Sequence, residues 1–255
     1  VGFHDILCAY VAGHKAQIKL SSKDEYVLPY LLKLLSKFDP AAEAYFELVD
    51  KLTEYDAVIA TGSNNSARYF ETYFKAVPHI IRKNRTAIAV ISGKETEEEM
   101  RALGNEIFQY FGLGCRNVSK LYVPEGYDFD PLLHVLHEWK TLQNHTKWKN
   151  NLDYNYALTT LNKESFHLTG PLMVLENKAI PSRIGTLHFE YYSDTTALIA
   201  QVEGQREEIQ LVAVTPQFLE TSLPTFTFGE AQRPGLGDYA DGVDTLSFLL
   251  GISAV

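Results

Sequence analysis

The sequence predicts an α/β fold built on an open, largely parallel sheet. Three observations predict it. Short apolar runs of the buried-strand type, DAVIAT at 56–61 and TAIAVIS at 86–92, stand between longer stretches of helical period. Glycine, serine or acidic residues mark the junctions where such a run gives way to a helix. A chain of 255 residues, 45% of them hydrophobic, has material for one large core or two smaller ones.

Residues 3–12 are mostly apolar and compatible with a helix, which Gly13 stops; 16–20 read as a short buried strand. The polar run 21–25 carries helix-start residues, and 26–37 form an amphipathic helix with leucines at 28, 31, 32, 34 and 35, ended by Phe38-Asp39-Pro40. Residues 41–55 are ambiguous, with helix formers at 41–44 and a strand pattern at 45–49. The strand at 56–61 is followed by Gly62-Ser63-Asn64-Asn65-Ser66 and a helix over 67–75. A strand, a Gly-Ser turn and a helix start suit an anionic group, and equally suit simple capping by Ser or Asn. Residues 78–85 read as a solvated loop, 86–92 as a strand, and 95–111 as a long helix. The acidic first turn at Glu95, Glu97, Glu98 and Glu99 favours the helix dipole and reads as a solvated face. Residues 118–123 form a strand and 130–141 a helix. The Asn-rich stretch 139–155 reads as a loop. Strands follow at 168–176, 186–192 and 210–214, with a helix at 195–203.

The composition narrows the function. A formal charge of −9 argues against coating nucleic acid or an anionic membrane. No run of about 18 apolar residues is present, so no transmembrane helix is expected. The N-terminal residues lack the basic region of a signal peptide. Two cysteines do not suggest a disulfide framework, and a reducing, cytoplasmic setting fits them. There is no CxxC, HExxH or P-loop. His134 and His137, three apart, lack a third ligand signal, and Asp238, Asp241 and Asp244 read as a capped, solvated turn, so no metal site is predicted.

Cys115 is the residue that points to chemistry. It sits in Gly-Leu-Gly-Cys-Arg-Asn, between the long helix and the strand at 118–123. Glycines permit close approach, and a chain break there leaves N–H groups available to a thiolate or to an oxyanion. Arg116 adds positive charge. The residue is either such a nucleophile or a free cysteine packed in a loop.

Three blocks carry a family resemblance. Residues 13–22, GHKAQIKLSS, resemble the "G-N-x-x-x-x-K-P-S" segment of the aldehyde dehydrogenase superfamily. Thr61-Gly62-Ser63 resembles its "F-T-G-S" turn, and 112–123, GLGCRNVSKLYV, its nucleophile block. They follow in the superfamily's order at comparable spacing. The wording of 60–74 and 112–129, and of the tail at 226–249, resembles more narrowly the acyl-CoA reductases of bacterial luminescence systems.

The resemblance implies an aldehyde dehydrogenase-like fold, with a partial Rossmann-like cofactor lobe over 1–85 and an α/β catalytic lobe over 86–255. It implies Cys115 as the nucleophile, Lys19 and Ser22 at the adenosine ribose or its phosphate, Gly62 and Ser63 beside the pyrophosphate, and Glu176 at the nicotinamide ribose. The implied reaction is reduction of a fatty acyl-CoA, or another acyl carrier's thioester, to an aldehyde with NADPH, or alternatively NADH, in a homo-oligomer. A cysteine acyltransferase or a non-catalytic thioester-binding subunit is the alternative. Two departures matter. The stretch 82–89, RKNRTAIA, lacks the glutamate with which aldehyde-oxidising members activate water. The segment that precedes the first block in the family is also missing, so an N-terminally truncated fragment with incomplete catalysis is expected.

Overall fold

The computed structural model describes residues 2–22, 24–216 and 218–252. The chain divides into two compact units, one of residues 1–84 with 243–255, the other of 85–242.

The first unit contains α1 (Phe3–Val11), β1 (Ala16–Ile18), α2 (Val27–Phe38), β2 (Phe46–Leu48), β3 (Val58–Thr61), α3 (Asn64–Tyr73) and β4 (His79–Arg82). Strand β1 pairs with β2, and β3 with β4, both in parallel. Ile18, Leu28 and Leu32 form a small core on which Phe3, Ile6 and Phe46 pack. The ambiguous 41–55 region resolves into a 3-10 helix, Pro40–Tyr45, and then β2.

The segment 78–85 corrects the expected solvated loop. It contains β4, and Arg82 at its end is buried. The Arg82 guanidinium donates to both carboxylate oxygens of Asp5 on α1, at 3.2 and 2.7 Å, and to Thr245 Oγ1 at 2.8 Å. A buried guanidinium persists only when its donors are matched in this way. Thr245 opens the last helix, the six-residue segment Thr245–Leu250, and His14 Nε2 lies 2.9 Å from the Leu249 carbonyl. Residues 243–252 therefore belong with this unit, where a sequence boundary at 85–86 does not place them.

The second unit is organised by a seven-stranded sheet. It contains β5 (Thr86–Val90), α4 (Glu97–Phe108), β6 (Val118–Pro124), α5 (Asp130–Leu136), α6 (Thr146–Leu161), β7 (Phe166–Thr169), β8 (Leu172–Glu176), β9 (Thr186–Tyr192), α7 (Thr195–Gly204), β10 (Ile209–Val214) and β11 (Thr225–Phe226). The strand order is β11-β10-β5-β6-β9-β8-β7, parallel except for the β7–β8 hairpin. Alternation along the strands builds a core on each face. Ala87, Ala89, Leu121 and Val123 meet Leu103 and Ile107 of α4 and Leu132 of α5. Ile88, Val90 and Tyr122 meet Leu198 and Val202 of α7.

Two further expectations are corrected. The 139–155 stretch is helical, not a loop: a 3-10 segment reaches Asn144 and α6 follows. The buried positions of α6 are Trp148, Leu152, Asn155 and Thr159, spaced for one face, but two of them are polar, so the apolar period is not visible. The acidic run at 95–99 is not a uniformly solvated face. Glu95 is buried and its carboxylate accepts from Ser92 N–H (2.6 Å), Ser92 Oγ (2.7 Å) and Gly93 N–H (3.0 Å). Glu99 and Thr96 form a reciprocal capping box at the start of α4.

Candidate active site

Helix α4 delivers the chain to Cys115 through a kinked 3-10 turn, Gln109–Gly112. Tyr110, Phe111 and Gly112 all have positive φ, at 53°, 59° and 64°. Two non-glycine residues in the left-handed region need surrounding structure to hold them. Asn117 supplies much of it. Its buried amide donates to the Glu106 and Gln109 carbonyls, each at 2.8 Å, and its Oδ1 accepts from Gly114 N–H at 2.8 Å. Asn117 N–H in turn donates to Gly114 C=O at 3.0 Å. Cys115 and Arg116 are thus the two central residues of a closed tight turn directly before β6.

Cys115 is exposed, so the alternative of a packed loop cysteine does not describe it; the buried free cysteine is Cys8. Loss of water around the sulfur pushes the Cys115 thiol above its ordinary value, and the Asp241 carboxylate pushes the same way. Arg116 and the N–H groups of Cys115 and Arg116 pull it down without prevailing. With its titration point raised, the resting group is a thiol. The Arg116 guanidinium lies over the Phe226 ring, 5.2 Å from its centroid, and donates to the Ala231 carbonyl at 3.2 Å.

Asp241 is held at the same edge of the sheet. The starts of β10, β5 and β6 lie side by side: Ile209 is level with Thr86, and Ala87 with Val118. With its amide oriented to satisfy both groups, Gln210 donates to Asp241 Oδ1 at 2.9 Å and accepts from Asp241 N–H at 3.0 Å. Arg85 Nε stands 3.6 Å from the same carboxylate oxygen. Asp241 itself has φ 59°, so Asp238, Asp241 and Asp244 do not share a helical face. Among the described residues, no group of three or more His, Cys, Asp or Glu is placed to hold a metal.

The other predicted site residues fall at strand ends. Lys19 and Ser22 follow β1 and are exposed. Gly62 and Ser63 join β3 to α3, and Ser63 caps the helix by accepting from Ser66 N–H at 3.2 Å. A Cβ on Gly62 would lie 2.8 Å from Ser66 Cβ and 2.9 Å from the Phe70 ring. Glu176 ends β8 and is exposed. Through β9 it is level with Leu121 of β6. That places it two strands across from Cys115 and on the order of 10 Å further along them, so the structure does not bring Glu176 to the thiol.

Sequence reading did not single out Asn117, Glu106, Gln210 or Gln232 at this site. Their positions depend on pairing between segments as far apart as 106 and 232. The polar residue directly before β6 was the only local signal, for Asn117.

Aldehyde dehydrogenase 21 from Physcomitrella patens, solved with the reaction product succinate, superposes with a TM-score of 0.68 at 12% identity, over 97% of this chain and 63% of that one. The aldehyde dehydrogenase KauB from Pseudomonas aeruginosa gives 0.61 at 13% identity, over 85% of this chain and 53% of its own. A bifunctional proline utilization A protein gives 0.63 at 15% identity, over 82% of this chain and 26% of its own. The chain has the aldehyde dehydrogenase fold. It spans less than two thirds of the length of each of these proteins. No family model matches the sequence, and no curated protein matches it. Among the described residues, no helix of the chain is long and apolar enough to cross a membrane.

Proposed function

We propose that the protein carries out, or contributes to, nicotinamide-dependent reduction of acyl thioesters, with Cys115 as the acyl-accepting nucleophile. One observation carries this reading: an exposed cysteine at the centre of a hydrogen-bonded turn, at the strand-start edge of the sheet in an aldehyde dehydrogenase fold. The Cys115 sulfur gives up its proton and attacks the acyl carbonyl carbon. The bond to the carrier's sulfur breaks, and the departing thiolate takes up a proton. The N–H groups of Cys115 and Arg116 are the donors that steady the carbonyl oxygen while it carries charge.

The turn after β3 fits a phosphate of a nicotinamide cofactor. The first-turn N–H groups of α3 stand at the positive end of the helix, and the turn carries no acidic side chain. Gly62 lets the chain lie close against Ser66 and Phe70 there. Ser63 and the exposed Lys19 and Ser22 complete the proposed contacts. NADPH, or NADH, when bound supplies the hydride that turns the Cys115 thioester into an aldehyde. The absence of a glutamate between 82 and 89 favours this outcome over hydrolysis.

The test is intact-mass analysis of the chain after mixing with palmitoyl-CoA, with and without NADPH. The expected result is an acyl adduct mapped to Cys115, absent from Cys115→Ala and discharged by NADPH with release of aldehyde. An adduct that persists in the presence of NADPH supports an acyltransferase instead. No adduct at Cys115 overturns the proposal.

A further inference from the structure

The segment after β11 is tied to the Cys115 turn by a buried carboxylate that the proposed chemistry does not use. Glu106, in the last turns of α4, is fully buried. Its Oε1 accepts from Ala231 N–H at 2.8 Å and its Oε2 from Gln232 Nε2 at 3.0 Å. The same Gln232 nitrogen donates to the Arg116 carbonyl at 2.8 Å. One amide group therefore bridges the Glu106 carboxylate and the Arg116 carbonyl, in the peptide that joins Arg116 to Asn117. Arg116 answers from its side chain, through Ala231 C=O and the Phe226 ring. The turn is thereby held from two sides, by Asn117 from within the turn and by Gln232 from a segment more than a hundred residues away.

We propose that Gln232 is a positioning residue for Cys115, fixing the Arg116 carbonyl and with it the turn that presents the sulfur. The proposal rests on Cys115 being the reacting group, but it does not require a thioester substrate or a cofactor. The charged groups that act on the thiol are Arg116 in its own turn and Asp241. Arg85 lies beyond Asp241, and Glu106 lies behind the turn. Changing Gln232 removes none of these charges, so the geometry of the turn is the variable that the experiment moves.

The experiment measures the rate of Cys115 carbamidomethylation by iodoacetamide against pH, read by peptide mass, in the wild-type chain and in Gln232→Met. Methionine keeps the length and removes both donated hydrogen bonds. The expected result is a midpoint displaced to higher pH, with roughly tenfold slower modification at pH 8 if the displacement is one unit. An unchanged pH profile, whether or not the thermal midpoint falls, overturns the proposal and leaves Gln232 a structural tie. If Gln232→Met does not fold, Gln232→Asn, polar but one methylene short of both oxygens, gives the same two readings. Failure of palmitoyl-CoA to acylate Cys115 would leave this profile unaffected, so the two proposals fail separately.

Discussion

Asn117 and Gly114 bond to each other in both directions. The Asn117 N–H reaches the Gly114 carbonyl at 3.0 Å, and the Gly114 N–H reaches Asn117 Oδ1 at 2.8 Å. The reciprocal pair closes the turn that presents Cys115. It also accounts for the glycine, because a Cβ at 114 would stand 2.9 Å from Asn117 Oδ1.

Asn117→Ala removes three side-chain hydrogen bonds, leaving two carbonyls and one N–H near the end of α4 without that partner. A loss of about 2–4 kcal/mol of stability is expected, larger than for a single surface bond. Urea unfolding monitored by circular dichroism checks it. A loss under about 0.5 kcal/mol would mean that the turn holds without Asn117.

Asp241 bears on the pH at which Cys115 reacts. A negative carboxylate disfavours the thiolate, so it raises the thiol's titration point. Asp241→Asn removes that charge while leaving an oxygen and an amide for Gln210. The midpoint of Cys115 modification should therefore move to lower pH, and modification at neutral pH should become faster. Iodoacetamide kinetics from pH 6 to 10 decide this; a midpoint that rises or stays fixed would show that Asp241 does not act on the sulfur.

Gly62→Ala should be costly because of contact rather than backbone conformation. The new methyl would press on Ser66 Cβ at 2.8 Å and on the Phe70 ring at 2.9 Å, at the start of α3. A loss of about 1–3 kcal/mol is expected from overpacking, together with weaker NADPH binding under the proposed function. Thermal unfolding and a fluorescence titration with NADPH separate the two effects. Tight NADPH binding by a destabilised variant would remove Gly62 from the proposed cofactor contacts.

By itself the sequence determined the alternating plan of strands and helices and the place of Cys115 between a helix and a strand. These are local properties. The runs at 58–61, 86–90 and 118–124 are short, apolar and bounded by polar or glycine residues, and the helices at 27–38 and 97–108 carry recognisable periods or caps. The tertiary structure decided what surrounds the thiol. It buried Arg82 against Asp5 and Thr245, made a helix of a polar stretch whose buried face includes Asn155 and Thr159, and sent Glu176 up the sheet away from Cys115. It also brought Asp241, Gln232 and Glu106 to bear on one turn. The physical reason is that a charged or amide side chain carries no local sign of its partner. Propensity and period act over a few residues, whereas the hydrogen bonds that make a buried carboxylate or guanidinium tolerable are supplied by whichever distant segment the fold sets beside it.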